Sequence, residues 1–390
     1  MSYRIEDVLE SVQEGAPPPR TSAADIIAGA RRIRSRRRWA AVAGAGGAAA
    51  VTVALVAGLT GAAPQAAPPD APAAATTPSR AVAVKTFTQP TGLAFTIGET
   101  RVGKWTIGPA GAATYGYQQI PVHRDGKTIE TDGVAYPYPD AMLTFYRPGV
   151  YDIKDFGVAA WSNEKYGPAR NVTIAGRPGI ERMYTYSLPD LADLRAKMKA
   201  NPGLRLNDPS IKTQTFVRTA FAWKFDGSSW ATFLPGAGRE PLSRAESLAI
   251  VEAVRPHSAV PATIPYTFGW LPAGWKVIGA EQSPTDMPSQ VLLDQRIPPG
   301  EQLAEKWDAL STGGRLTIWR GKPKTANAPR GGESMKCVDI NGYCTLVIDG
   351  THFAEFERLG KRLSMDDVRR ILRGLTFTSV ADQSRWKPVS

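Results

Sequence analysis

The sequence predicts an α+β fold: two diverged tandem units, each an antiparallel sheet closed by a C-terminal helix, set after one transmembrane helix. Three observations predict it. An uncharged segment, Ala40–Leu59, follows a run of arginines. Beyond residue 85, aromatic and β-branched residues alternate with Gly, Pro and Asp turns. Short motifs then recur in one order along two successive stretches. The expected domains are a basic cytoplasmic tail (1–38), a transmembrane helix (39–60), an Ala/Pro linker (61–85) and two ectodomain units (86–258 and 262–380).

Composition sets the outer bounds. The 390 residues carry 47 Lys+Arg against 36 Asp+Glu, a net charge of +11, with 43% hydrophobic and 21% charged residues. Those fractions are ordinary for globular protein and exclude a wholly disordered chain, a coiled-coil rod and a multi-span transporter. Two cysteines exclude a disulfide-dense scaffold and a multi-cysteine zinc site, and three scattered histidines argue against a His-rich metal site.

The first 38 residues hold eight arginines and five acids, and six of the arginines (Arg31, Arg32, Arg34, Arg36, Arg37 and Arg38) immediately precede the apolar segment. As a helix with 1.5 Å rise per residue, Ala40–Leu59 would span about 30 Å, the hydrocarbon thickness of a bilayer. The flanking arginines would contact anionic headgroups and place the N-terminus in the cytoplasm. Everything after Leu59 is then extracytoplasmic at the cell membrane. Ser35-Arg36-Arg37-Arg38-Trp39 also looks like a twin-arginine export signal, so a cleaved leader stands as the alternative to a retained anchor. Gly61 to about Lys85, with Pro64, Pro68, Pro69, Pro72 and Pro78, reads as an extended spacer.

The repeated motifs define the two units. Leu143-Thr144-Phe145-Tyr146-Arg147 parallels Leu316-Thr317-Ile318-Trp319-Arg320, and Val172–Gly176 parallels Val338–Gly342. Asp226-Gly227 parallels Asp349-Gly350, and Leu242-Ser243-Arg244-Ala245-Glu246 parallels Leu363-Ser364-Met365-Asp366-Asp367. Gly103-Lys104-Trp105 matches Ala273-Gly274-Trp275 less closely. Ser243 with Glu246, and Ser364 with Asp367, are capping-box patterns that start a helix in each unit. Asn341-Gly342 and Asp349-Gly350 read as hairpin turns with positive φ at both central positions. Extra residues in the first unit, around Leu188–Thr213, contain a helical spacing at Leu188, Leu191, Leu194 and Met198.

Few residues carry a chemical signature. Cys337 and Cys344 flank a turn, and outside the membrane two such thiols oxidise to a structural disulfide. A four-residue loop sets them opposite each other; a two-residue Asn-Gly loop sets them diagonally. His123, His257 and His352 fall far apart, and there is no G-x-S-x-G elbow, H-E-x-x-H motif or phosphate loop. The expectation is no catalytic residue, no metal and no cofactor, and hence no enzyme. Trp223 and Trp230, and Trp270 and Trp275, bracket turns and suit hairpin packing, with a ligand-binding aromatic surface as the alternative.

The tail (Ile5-Glu6-Asp7-Val8-Leu9, then Arg31 to Arg38), Trp39 and the Ala/Gly/Val span resemble uncharacterised single-pass membrane proteins of high-GC actinobacteria. Some of these look like anti-sigma-factor partners of extracytoplasmic stress regulators. The resemblance covers about 80 residues, and the tail has no His or Cys for the zinc-type anti-sigma domain. It implies a signalling regulator whose tail binds a cytosolic protein. The residues themselves lead first to a membrane-anchored binding or sensing protein of the cell envelope. Its expected partners are the lipid bilayer and an anionic envelope polymer or protein ligand, with no nucleic acid, since the basic excess lies outside the membrane.

Overall fold

The computed structural model describes residues 92–389, apart from 109–110, 132–133, 160–163, 202–207, 209, 237–241, 283–288, 300–301, 304–309, 322, 324–328 and 330–332. The tail with Arg31 to Arg38, the expected span 39–60 and the linker 61–85 lie outside the described residues. Among the described residues, no helix is long and apolar enough to cross a membrane.

The first half comprises β1 (Ala94–Ile97), β2 (Thr100–Val102), β3 (Trp105–Ile107), β4 (Ala112–Thr114), β5 (Tyr117–Thr131), β6 (Val134–Tyr146), β7 (Glu164–Tyr166), β8 (Arg170–Ile174), β9 (Arg177–Pro189), α1 (Leu191–Ala200), β10 (Thr213–Lys224), β11 (Trp230–Pro235), α2 (Arg244–Ala253) and β12 (Pro256–Pro261). The second comprises β13 (Thr263–Ile264), β14 (Tyr266–Phe268), β15 (Lys276–Glu281), β16 (Ser289–Asp294), β17 (Gly314–Arg320), β18 (Met335–Val338), β19 (Tyr343–Val347), β20 (His352–Arg358), α3 (Met365–Arg373), β21 (Leu375–Phe377) and β22 (Lys387–Pro388).

This architecture corrects the expected α+β fold of two helix-closed units. The chain is mostly β, and one 16-stranded sheet contains the path β18-β19-β20-β17-β16-β15-β4-β5-β6-β11-β10-β9-β7. The halves meet where β4 pairs antiparallel with β15, with Thr114 opposite Gly279, Ala113 opposite Ala280 and Ala112 opposite Glu281. The physical reason is edge satisfaction. A short strand of small residues such as Ala112–Thr114 leaves bare backbone donors and acceptors unless another edge covers it. Periodicity within each half carries no signal for that pairing.

Read outward from the seam, the two halves run in the same strand order: β4-β5-β6-β11-β10-β9 on one side and β15-β16-β17-β20-β19-β18 on the other. A further antiparallel pair flanks each, β1 with β12 and β14 with β21. The Leu143 and Leu316 motifs fall on β6 and β17, at equivalent places. The Val172–Gly176 match does not, because it joins β8 to β9, whereas Val338–Gly342 joins β18 to β19.

Alternation along the strands sends one face of the sheet into the main core. Phe145, Phe221, Trp223 and Phe233 fill it in the first half, and Leu316, Ile318, Phe356 and Ile371 in the second. Helices α2 and α3 begin with complete capping boxes. Ser243 Oγ accepts from the Glu246 amide at 3.1 Å while Glu246 accepts from the Ser243 amide at 2.9 Å. Ser364 and Asp367 repeat this at 3.0 and 3.1 Å. Arg244, the first residue of α2, donates Nε and Nη2 to the nearly buried Glu181 carboxylate of β9 at 2.9 and 2.7 Å. Pro189–Lys212 belongs to a different compact unit from Lys85–Leu188 and Thr213–Ser390. Within that segment, Leu194, Met198 and Ile211 form their own small apolar cluster.

The turns differ from the expected chemistry. Gly350 and Asp349 do not have positive φ; instead the Asp349 carboxylate accepts from the Thr351 and His352 amides at 2.6 and 2.8 Å. Asp226 likewise accepts from Ser228 and Ser229. The two-residue turn with positive φ at both positions is Ala175-Gly176, at 49° and 77°, between the paired Ile174 and Arg177. A Cβ in this region is costly, and Asn tolerates it better than Ala. Ala175→Asn is therefore expected to stabilise the protein by about 0.5–1 kcal/mol, read as a higher urea midpoint at unchanged slope. An unchanged or lower midpoint contradicts this account of the turn.

Candidate functional site

Three neighbouring strands of the second half build a cleft where the core face runs out of apolar residues. In the ladders, Ser289 sits opposite Ile318, Ile318 opposite Ala354, and Arg320 opposite His352. Period-two alternation puts Ser289, Ile318, Arg320 and His352 on the same face as Leu316 and Ala354. The core therefore continues to Ile318 and then gives way to a hydroxyl, a guanidinium and an imidazole.

The opposite wall is the C-terminal segment, which supplies Val380, Gln383 and Trp386, next to Pro265. Local bonds hold this segment firmly. Thr378 donates its amide to the Pro265 carbonyl at 2.8 Å, Val389 donates to Ala262 at 2.8 Å, and β22 pairs with β13. The Trp386 indole N–H is shared between the Ser379 and Val380 carbonyls, both at 3.2 Å. The Asp382 carboxylate accepts from the Ser384 amide at 3.1 Å and closes the turn between them.

Two groups in the cleft have defined states. The His352 side chain is 11% exposed, and its Nδ1 lies 3.1 Å from Asp349 Oδ2 and 3.0 Å from Thr351 Oγ1. With Nδ1 held by the carboxylate, Nε2 is the ring nitrogen left for other contacts. Burial pushes the Asp349 carboxyl up, but the Thr351 amide and hydroxyl and the His352 ring outweigh it and hold the group at about 2. Ser289 is 2% exposed, and among the described residues its Oγ has no hydrogen-bond partner. A buried hydroxyl in that state costs about 1–3 kcal/mol, and Ser289 shares it with Ser247, Tyr266 and Thr345.

The residues singled out from sequence lie elsewhere. Cys337 and Cys344 face each other in register across the β18-β19 hairpin and are joined by a disulfide. The loop between them has four residues: a 3-10 turn at Asp339–Asn341, then Gly342 at φ 65°. Cys344 is fully buried in the main core. His123 lies buried on β5 and His257 on the exposed β12, so the structure does not gather the histidines. Trp223 and Trp275 are buried in the core, while Lys224 lies over Trp230 at 4.5 Å and Arg370 over Trp270 at 4.1 Å. Among the described residues, no group of three His, Cys, Asp or Glu could hold a metal ion. Trp319-Arg320 and Asp349-Gly350 stood in repeated motifs and so were visible. Ser289 carries no sequence signal of any kind.

No family model matches the chain, and no curated protein matches it. Two solved structures are similar over 69% of this chain and 92% of their own. They are the complex structure of Pseudomonas aeruginosa MucA/MucB, at 11% identity and a TM-score of 0.18, and the crystal structure of MucB in complex with MucA(peri), at 11% and 0.17. At that level the likeness carries no argument about fold or activity.

The Asp349 turn yields a test. Its carboxyl lies below the ordinary value of 3.8 in the folded state, so its charge contributes stability above that pH and loses it as pH falls toward about 2. Asp349→Asn keeps an acceptor in the turn and removes the charge. The variant is expected to melt below the native protein at pH 7, with the gap closing between about pH 4 and pH 2. A gap that is constant across that range contradicts the role given to the charge.

Proposed function

We propose that this chain is a membrane-anchored, extracytoplasmic binding or sensing protein of the cell envelope, which acts by binding and not by catalysis. The observation that carries this reading is the Cys337–Cys344 disulfide, which takes up both cysteines of the chain. Disulfides persist in oxidising compartments and are rare in reducing ones. The uncharged segment Ala40–Leu59 behind an arginine cluster agrees with an anchor, and the remaining chain keeps 39 basic residues against 31 acids, which suits anionic surroundings.

The cleft geometry favours binding over acyl transfer. A serine nucleophile needs its base at about 2.6–3.2 Å. Ser289 on β16 and His352 on β20 are separated by β17, about 10 Å in strand spacing alone. The identical strand order of the halves fits a duplicated ancestral unit, with 86–258 and 262–380 as its two descendants.

The test is fractionation of cells that express the full chain with a C-terminal tag. The reading predicts a membrane-bound, full-length product whose tagged part is cut by protease added to spheroplasts, and no thiol that reacts before reduction. A cytosolic product with two reactive thiols overturns it. A processed, soluble extracytoplasmic product keeps the binding reading and removes the anchor.

A further inference from the structure

We propose that the outer face of the second half senses acid: Glu281 and Glu355 take up protons as the surroundings turn from neutral to mildly acidic, and that uptake tightens the outer strands β20, β19 and β18. The inference names a stimulus for the sensing reading above. It rests on that part of the reading and not on the membrane location.

The ladders put both carboxylates in one row. On the face opposite Leu316, Ile318 and Phe356, Glu281 stands opposite Gln290, Gln290 opposite Thr317, and Thr317 opposite Glu355. Glu355 in turn faces Thr345, and Thr345 faces Lys336. The next row runs from Leu292 to Arg315, Glu357 and Tyr343. Across the seam the first row continues through Ala112, Gln119 and Thr144, none of them charged. Farther along β16, Asp294 lies opposite Lys276 and is held by Thr312 and Arg362. Among the described residues of the two rows, three glutamates thus share Arg315 and, at the sheet edge, Lys336.

The partners decide what each glutamate can do. Arg315 makes its ion pair with Glu357, directly opposite. Glu355 is bonded by the Tyr343 hydroxyl, and Glu281 by the Gln290 side-chain amide. Both groups are neutral, and a phenol or a carboxamide can accept as well as donate. Each carboxyl therefore keeps a partner whether it is ionised or protonated. Burial pushes both carboxyls above the ordinary value of 4.5. Glu357, two residues along the same strand and about 7 Å away, adds to the push on Glu355. The folded chain binds these protons at a higher pH than the unfolded chain. Their charge therefore costs stability at neutral pH, and the cost disappears as pH falls toward 4.5. Asp349 responds below that value and in the opposite direction, so the two effects separate.

Thermal melts of the purified full chain from about pH 8 to about pH 5 test this, with Glu281→Gln and Glu355→Gln as variants. The three histidines titrate in the same range, so the reading is the gap between variant and native protein. Each variant is expected to melt at least about 2 °C above the native protein at pH 8, with the gap closing by pH 5. Hydrogen exchange, corrected for its intrinsic pH dependence, is expected to show peptides covering 343–358 better protected at pH 5 than at pH 8 in the native protein, and equally protected at both in Glu355→Gln. Variants that melt with or below the native protein at pH 8, a gap that is constant with pH, or protection of 343–358 that ignores pH overturns the proposal. A cytosolic chain that still shows the closing gap sinks the envelope reading and leaves this one standing; an extracytoplasmic chain without it does the reverse.

Discussion

The pairing of β4 with β15 holds the architecture together. Three residue pairs, Ala112 to Glu281, Ala113 to Ala280 and Thr114 to Gly279, turn two half-sheets into one. The Gln282 amide extends the seam by donating to the Gly111 carbonyl at 2.8 Å. Small side chains permit it. Ala113 and Ala280 are fully buried, and a Cβ on Gly111 would lie 1.8 Å from the Gln119 carbonyl oxygen. Backbone edges that would otherwise face solvent are paired at those three positions.

A single sheet also explains where the cleft forms. The apolar face is continuous from Phe145 and Trp223 through Ala113 and Ala280 to Leu316 and Phe356. Helices α2 and α3, each fixed by a capping box, pack on that face near the outer strands of each half. At the end of β16, β17 and β20, the C-terminal strap takes over the covering role from the helices. A strap of short bonded turns does not fill space as a helix does, and the polar ends Ser289, Arg320 and His352 border the gap that it leaves. The disulfide stands apart from this site. It links the last two strands of the path, where, among the described residues, β18 has a ladder partner only in β19. A covalent tie across such an edge substitutes for a second ladder.

Much of the local structure was legible in the residues. Ser243 with Glu246 and Ser364 with Asp367 named the starts of α2 and α3, because a capping box is written in four residues. Trp223 and Trp275 were readable as packing residues from their places beside turns. The long-range features were not. Nothing in Ala112–Thr114 says that its partner lies some 165 residues later, since strand pairing is decided by which edges remain bare. The turn at Asp349-Gly350 was found but its chemistry was misread, because an Asp side chain can close a turn without positive φ. Ser289 could not be found at all: a lone serine gains meaning only when its neighbours across two ladders are known.

The central claim is that the seam makes the two halves one cooperative body. Native-state hydrogen exchange, read by mass spectrometry over peptides covering 111–122 and 276–294, tests it most directly. The seam amides are expected to exchange with the same opening free energy as the core strands at 140–146 and 314–320, and to lose protection with them in one step as denaturant rises. Seam peptides that open more cheaply, while each half keeps its own protection, would contradict the claim and return the molecule to two independent sheets.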